Sequence, residues 1–86
     1  MTEYRIEVRI APRPGLLDPQ GKAIQNALHS LDFSSVEDVR VGRLVRFTLA
    51  AETEEAARLA ADEMCRKLLA NPVTEDYDVQ LEGVPV

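Results

Sequence analysis

Val36-Glu37-Asp38-Val39-Arg40-Val41-Gly42-Arg43-Leu44-Val45-Arg46-Phe47-Thr48-Leu49-Ala50 is the segment on which the architecture turns. Val39, Val41, Val45, Phe47 and Leu49 share one parity, while Arg40, Arg46 and Thr48 take the other. Arg43 interrupts the apolar set, yet the parity survives Gly42. A two-residue turn at Gly42-Arg43 would pair Val41 with Leu44 and Val39 with Arg46. That would place Arg46 on the apolar face and turn Val45, Phe47 and Leu49 outward. A three-residue turn would restore the parity but wants its glycine last, and here it comes first. The segment therefore reads as one long strand, bent or bulged at Gly42. About 15 residues at ~3.3 Å each span roughly 50 Å. A compact chain of this length is roughly 30 Å across. The overhanging strand needs cover, and a symmetry-related copy is its simplest source. The expectation is an obligate dimer in which each long strand serves two sheets.

Outward from this segment the pattern is regular. Tyr4, Ile6, Val8 and Ile10 alternate with Arg5, Glu7 and Arg9, a strand with one buried face. Ala11-Pro12-Arg13-Pro14-Gly15 ends it. A helix starts at about Asp18, which caps it, with Pro19 at the first helical position. Ile24, Ala27, Leu28 and Leu31 form its apolar stripe, and Asp32-Phe33-Ser34-Ser35 closes it. Thr53 caps a second helix with Glu54 and Glu55 in its first turn. Its stripe is Ala57, Ala60, Ala61, Met64, Cys65 and Leu68. Glu54–Arg58, Asp62–Arg66 and Glu63–Lys67 are its i,i+4 ion pairs. Asn71 suits a left-handed C-terminal position and Pro72 stops continuation. A last strand alternates Tyr77, Val79 and Leu81, and Glu82 to Val86 reads as a loose tail. The order is β-α-β-α-β, or a ferredoxin-like βαββαβ if the middle strand breaks at Gly42. Both give a single two-layer α+β domain over residues 1–86, with two helices on one face of an antiparallel sheet.

Composition narrows the function. The 86 residues carry a net charge of −5, and aromatic residues make up only 5%. A core this lean favours a partner subunit. The scattered basic residues argue against nucleic acid. No apolar run approaches the ~20 residues of a membrane span. The N-terminus lacks the charged and apolar regions of a secretory signal, and one cysteine makes no internal disulfide, so the cytoplasm is expected. Cys65 lies on an apolar stripe and reads as core. His29 reads as exposed, with no second ligand at metal spacing. No phosphate-cradling glycine loop is present. Arg40 and Arg46 share one strand face and Arg43 lies near the bend. They suit either a solvent face or docking to an acidic surface. The residues by themselves describe a module without an active site. A small-ligand regulatory domain is the alternative they leave open.

Three segments carry a family resemblance. Leu17-Asp18-Pro19-Gln20-Gly21 with Ala23-Ile24 and Ala27-Leu28 resembles the first-helix start of the PurS family. Val39-Arg40-Val41-Gly42 resembles its middle strand. Met64 to Val73, containing Ala70-Asn71-Pro72, with Glu75-Asp76-Tyr77, resembles its second-helix exit and last strand. The chain departs from the pattern at an extra proline in Ala11–Gly15, at Arg43 and at Thr74. The resemblance implies a dimer with shared strands, and a tetramer is the alternative assembly the sequence leaves open. It implies the small subunit of phosphoribosylformylglycinamidine synthase, in de novo purine synthesis, bridging a PurL-type synthase and a PurQ-type glutaminase. ATP and magnesium would be used by the complex, with no cofactor or metal on this chain. Asp18, Gln20, Gly21, Arg40, Gly42, Arg43 and Asn71 are the interface candidates.

Overall fold

The computed structural model describes residues 1–85. Its central strand is β1 (Thr2–Pro12), flanked by β2 (Arg43–Ala51) and β3 (Glu75–Pro85), both antiparallel to it, in the order β2-β1-β3. Cross-strand rows explain why the alternating residues pack. Ile6 lies between Phe47 and Leu81, and Val8 between Val45 and Val79. Ile6, Val8 and Ile10 are fully buried, each contributing about 1.5–3 kcal/mol on leaving water. The opposite face is polar, and there Glu7 pairs with Arg46 at 3.0 Å and with Arg9 at 3.2 Å.

Helix α2 (Glu54–Met64) lies on the apolar face. Thr53 caps it, its hydroxyl oxygen accepting the Ala56 N–H at 3.0 Å. Ala57, Ala61 and Cys65 are wholly buried, and their small size lets the helix press close to the sheet. All three expected i,i+4 ion pairs form, at 3.8, 3.0 and 2.6 Å. At the buried edge of α2 the Tyr77 hydroxyl donates to Asp62.

The structure departs from the sequence reading in four places. Helix α2 ends in a π-turn (Cys65–Leu69), closed by the Ala70 N–H donating to the Cys65 carbonyl at 2.9 Å. The wider turn rotates Leu68 off the stripe, leaving it 83% exposed. Asn71 is not left-handed; it follows an extended Ala70 and folds its side chain onto the Val73 N–H. The tail is not loose through Pro85, because β3 stays paired to β1 as far as Thr2; Val86 lies outside the described residues. Strand β2 starts only at Arg43, and residues 36–42 have no ladder partner among the described residues. Gly42 is thus where pairing begins rather than a bulge within it. The sheet has three strands among the described residues, not the four of a ferredoxin-like fold.

Helix α1 (Pro19–Ser30) is the larger surprise. Its apolar stripe does not lie on the sheet. Ile24 is 40% exposed and Leu31, just beyond the helix, 65%. Only α2 covers the sheet, so Val45, Phe47 and Leu49 stay half-buried. The molecule measures 52 × 26 × 14 Å with a radius of gyration of 16.7 Å. A compact chain of this length would have about 12 Å.

Candidate functional site

The three family-like segments are far apart in sequence, and the fold brings them to one junction. Asp18 is its centre. One carboxylate oxygen accepts the Gly21 N–H at 3.0 Å, the ordinary work of an N-cap. The other accepts the Val41 N–H at 2.9 Å. One side chain thus caps α1 and pins it to the stretch just before β2. These two backbone donors, Val41 first, hold the Asp18 carboxyl below its usual range, and the nearby Arg40 charge adds to this.

Gly21 is explained by the same contact. A Cβ there would lie well inside 3.0 Å of the Val39 carbonyl oxygen and 2.7 Å from Asp18 Oδ2. Gly42 has a parallel role, because its Cβ would collide with the Ile10 carbonyl oxygen. Both glycines permit backbone to meet backbone, and neither needs a left-handed conformation. The far end of α1 is tied to the same stretch, with His29 Nε2 donating to the Val36 carbonyl at 2.7 Å. His29 is exposed, as its position off the stripe suggests.

Arginines brace the junction. Arg40 donates to the Arg13 carbonyl at 3.0 Å and pairs with Asp38 at 3.1 Å. Arg13 in turn donates to the Pro72 carbonyl and pairs with Asp76 at 3.4 Å. Arg43 opens β2 and pairs with Glu75 at 2.7 Å. The same Glu75 oxygen accepts the Asn71 N–H at 2.8 Å. That N–H, then Arg43, keeps the Glu75 carboxyl low. Gln20 is exposed in the first turn of α1.

Of the seven candidates, six are therefore bound into one network of caps, braces and close approaches. Sequence reasoning missed Arg13 and Glu75 as its connecting members. A guanidinium after a strand and a carboxylate at the first position of one carry no local signal. Cys65 lies in the core, where burial, with the charge of Asp62 adding, pushes its thiol up. The charged groups of the junction, Asp18, Arg13, Arg40, Arg43 and Glu75, are thus held in structural bonds.

Comparison with known proteins agrees with this picture. Residues 5–83 match the family model of PurS, phosphoribosylformylglycinamidine (FGAM) synthase. The chain is 41% identical over 81 residues to the Bacillus subtilis (strain 168) phosphoribosylformylglycinamidine synthase subunit PurS, covering 94% of this chain and 95% of that one. It is 38% identical over 81 residues to the Methanocaldococcus jannaschii subunit, covering 94% and 98%. Its fold is similar to Thermus thermophilus PurS, with a TM-score of 0.81 at 38% identity over 96% of this chain and 99% of that one. It is also similar to a chain of the Thermotoga maritima PurLQS structure, with a TM-score of 0.86 at 28% identity over 95% and 100%. With the match running almost end to end, the chain belongs to the PurS family of FGAM synthase subunits.

Proposed function

We propose that this chain is the non-catalytic small subunit of a cytoplasmic FGAM synthase complex, acting as a homodimer that bridges a PurL-type synthase and a PurQ-type glutaminase. The observation that carries the reading is the likeness, along nearly the whole chain, to a chain of the Thermotoga PurLQS structure. The junction supports it from the other side. Its polar groups brace three segments against one another, which suits a spacer.

The chemistry gives a spacer something to do. The glutaminase hydrolyses glutamine to glutamate and ammonia. The synthase uses ATP and magnesium to put that ammonia into formylglycinamide ribonucleotide, releasing ADP and phosphate. Ammonia that escapes into water is protonated and no longer a nucleophile, so transfer needs fixed geometry and a closed route. A rigid dimer holds the two active sites in register. Gln20, exposed beside the junction, and the rim arginines Arg40 and Arg43 are the contacts we assign to the partners. Gly21, Gly42, Asp18 and Asn71 keep that surface in shape.

Reconstitution tests this. The synthase and glutaminase of the same organism are mixed with glutamine, ATP and formylglycinamide ribonucleotide, with and without this chain. Glutamine-dependent product that requires the chain, alongside ammonia-dependent synthesis that needs it less, is the expected result. No effect on either reaction refutes the bridging role.

A further inference from the structure

We infer that the outer edge of β3 is closed to strand addition, and that Arg58 on α2 is the residue that closes it. The block would operate whether or not the chain bridges larger subunits.

The sheet has two edges, and they are finished differently. An edge strand presents a row of unpaired N–H and C=O groups, a template on which another strand can grow. β3 is the longer edge, with 11 residues against the 9 of β2, and no strand lies beside it among the described residues. Length alone would make it the more adhesive of the two. Yet a carbonyl near its middle is taken. The Arg58 guanidinium extends from α2 and donates to the Val79 carbonyl at 3.3 Å. Glu54, one turn earlier on the helix, steadies that guanidinium at 3.8 Å. One turn later Asp62 accepts the Tyr77 hydroxyl, so the same side of α2 is fastened to β3 at two residues, Tyr77 and Val79. A strand laid along this edge would need the Val79 carbonyl and the space that the guanidinium fills.

Side-chain charge works in the same direction. Glu75, Asp76, Asp78 and Glu82 make β3 acidic, and Glu75–Pro85 contains no lysine or arginine. Inside the sheet the register sets Asp78 opposite Arg9 and Glu82 opposite Arg5, so β1 balances these two acids. A second copy's β3 on the outer edge would bring acid against acid, which disfavours pairing. Antiparallel pairing centred on Gln80, for instance, sets Asp78 opposite Glu82 twice. Pro85 ends the strand without an N–H to offer. The edge strand β2 lacks this charge barrier, because Arg43–Ala51 holds no acid at all. The two edges are thus unequal, and the fold directs strand pairing away from β3.

Arg58→Ala in the full-length chain tests the block. Glu54→Ala is its control, since it loses the same ion pair and leaves the Arg58–Val79 bond. Sedimentation velocity and amide hydrogen exchange are run well below each variant's melting temperature. Arg58→Ala is expected to self-associate roughly fivefold to tenfold more strongly than the parent, about what one freed hydrogen bond allows. New exchange protection should fall on residues 75–85. Glu54→Ala, and Arg58→Lys with its retained donor, should keep the parent's assembly state. Should Arg58→Ala not fold, Asp78→Thr with Glu82→Thr lifts the acid row alone and is expected to associate through the same edge; no association there overturns the inference. A natively folded Arg58→Ala with the parent's association and exchange pattern also overturns it. Equal association in Glu54→Ala does the same, because a weakened helix rather than a freed edge would then be the cause. So does association of Arg58→Ala that protects segments other than β3.

Discussion

Gly21→Ala sets two physical arguments against each other with opposite signs. Gly21 is the third residue of α1, and in an open helix alanine there is better by about 1 kcal/mol. If propensity ruled, the substitution would raise the melting temperature by several degrees. The structure says otherwise. The new Cβ would lie well inside 3.0 Å of the Val39 carbonyl oxygen and 2.7 Å from Asp18 Oδ2. One obstacle is backbone, so no rotamer change relieves it. The stretch around Val39 must move, and it is held by the Val41 N–H on Asp18 and by Val36 on His29. Overpacking costs about 1–3 kcal/mol, and an unyielding neighbour puts this case at the upper end. Less the helix gain, the net is a loss of about 2 kcal/mol. For a domain of this size that lowers the melting temperature by roughly 10 °C. Calorimetry at one fixed protein concentration reads it, since a partner-dependent fold melts in a concentration-dependent way. An unchanged or raised melting temperature would refute the close approach of α1 to residues 39–41.

Other outcomes follow from the same geometry. Asp18 and Glu75 have folded-state pKa values below their ordinary ones, so protonation favours unfolding. Their contribution is complete above the unfolded value of about 4 and is lost as pH falls through the folded values. The melting temperature should be level from about pH 5 to 7 and drop below about pH 4, with a shallower drop in Asp18→Asn. A curve identical to the parent's would count against the Asp18 bonds. Ala61→Leu, beneath α2, should cost about 1–3 kcal/mol in urea unfolding, because a fully buried small residue leaves no room; an unmoved midpoint would contradict the close packing. Cys65 should react with a thiol reagent far more slowly in the native state than in guanidinium, and equal rates would show that it is not buried. Arg40→Glu should weaken binding to the synthase and glutaminase in pull-down while circular dichroism stays native, and full binding would remove Arg40 from the interface.

What was legible in the sequence was what short-range physics writes. The alternation from Tyr4 to Ile10 names the buried face of β1, and Thr53-Glu54-Glu55 names the start of α2. Asp18 and Pro19 mark the start of α1 through local rules of the same kind. The junction was legible only in part. Gly21 is conspicuous because a helix rarely wants it, but the reason for it is the carbonyl of Val39, eighteen residues away. The bracing roles of Arg13 and Glu75 were hidden, because a lone charge in a loop or at a strand's first residue takes its meaning from whatever the fold places beside it. The π-turn was hidden too. Leu68 sits in phase with an α-helical stripe, and only the wider last turn throws it outward.

The middle segment is a different kind of difficulty. Its parity favours a long strand, whereas the element order and chain length suit a closed βαββαβ unit. Each inference is sound for the question it addresses. Parity reports which face every residue must present, and it applies wherever the strand pairs, in its own chain or another. Element order reports what a complete two-layer unit contains, and it does not require all the parts to come from one chain. The two conflict only if the sheet must be completed by the chain that starts it. A 52 Å molecule whose first helix stands clear of the sheet is not closed by its own chain. Gly42 then has a role at both levels. Lacking a side chain, it lets residues 36–42 pass the Ile10 carbonyl without turning back. The straight passage instead leaves α1 and residues 36–42 clear of their own sheet, with Ile24 and Leu31 exposed, and the homodimer proposed above would give that apolar surface its cover.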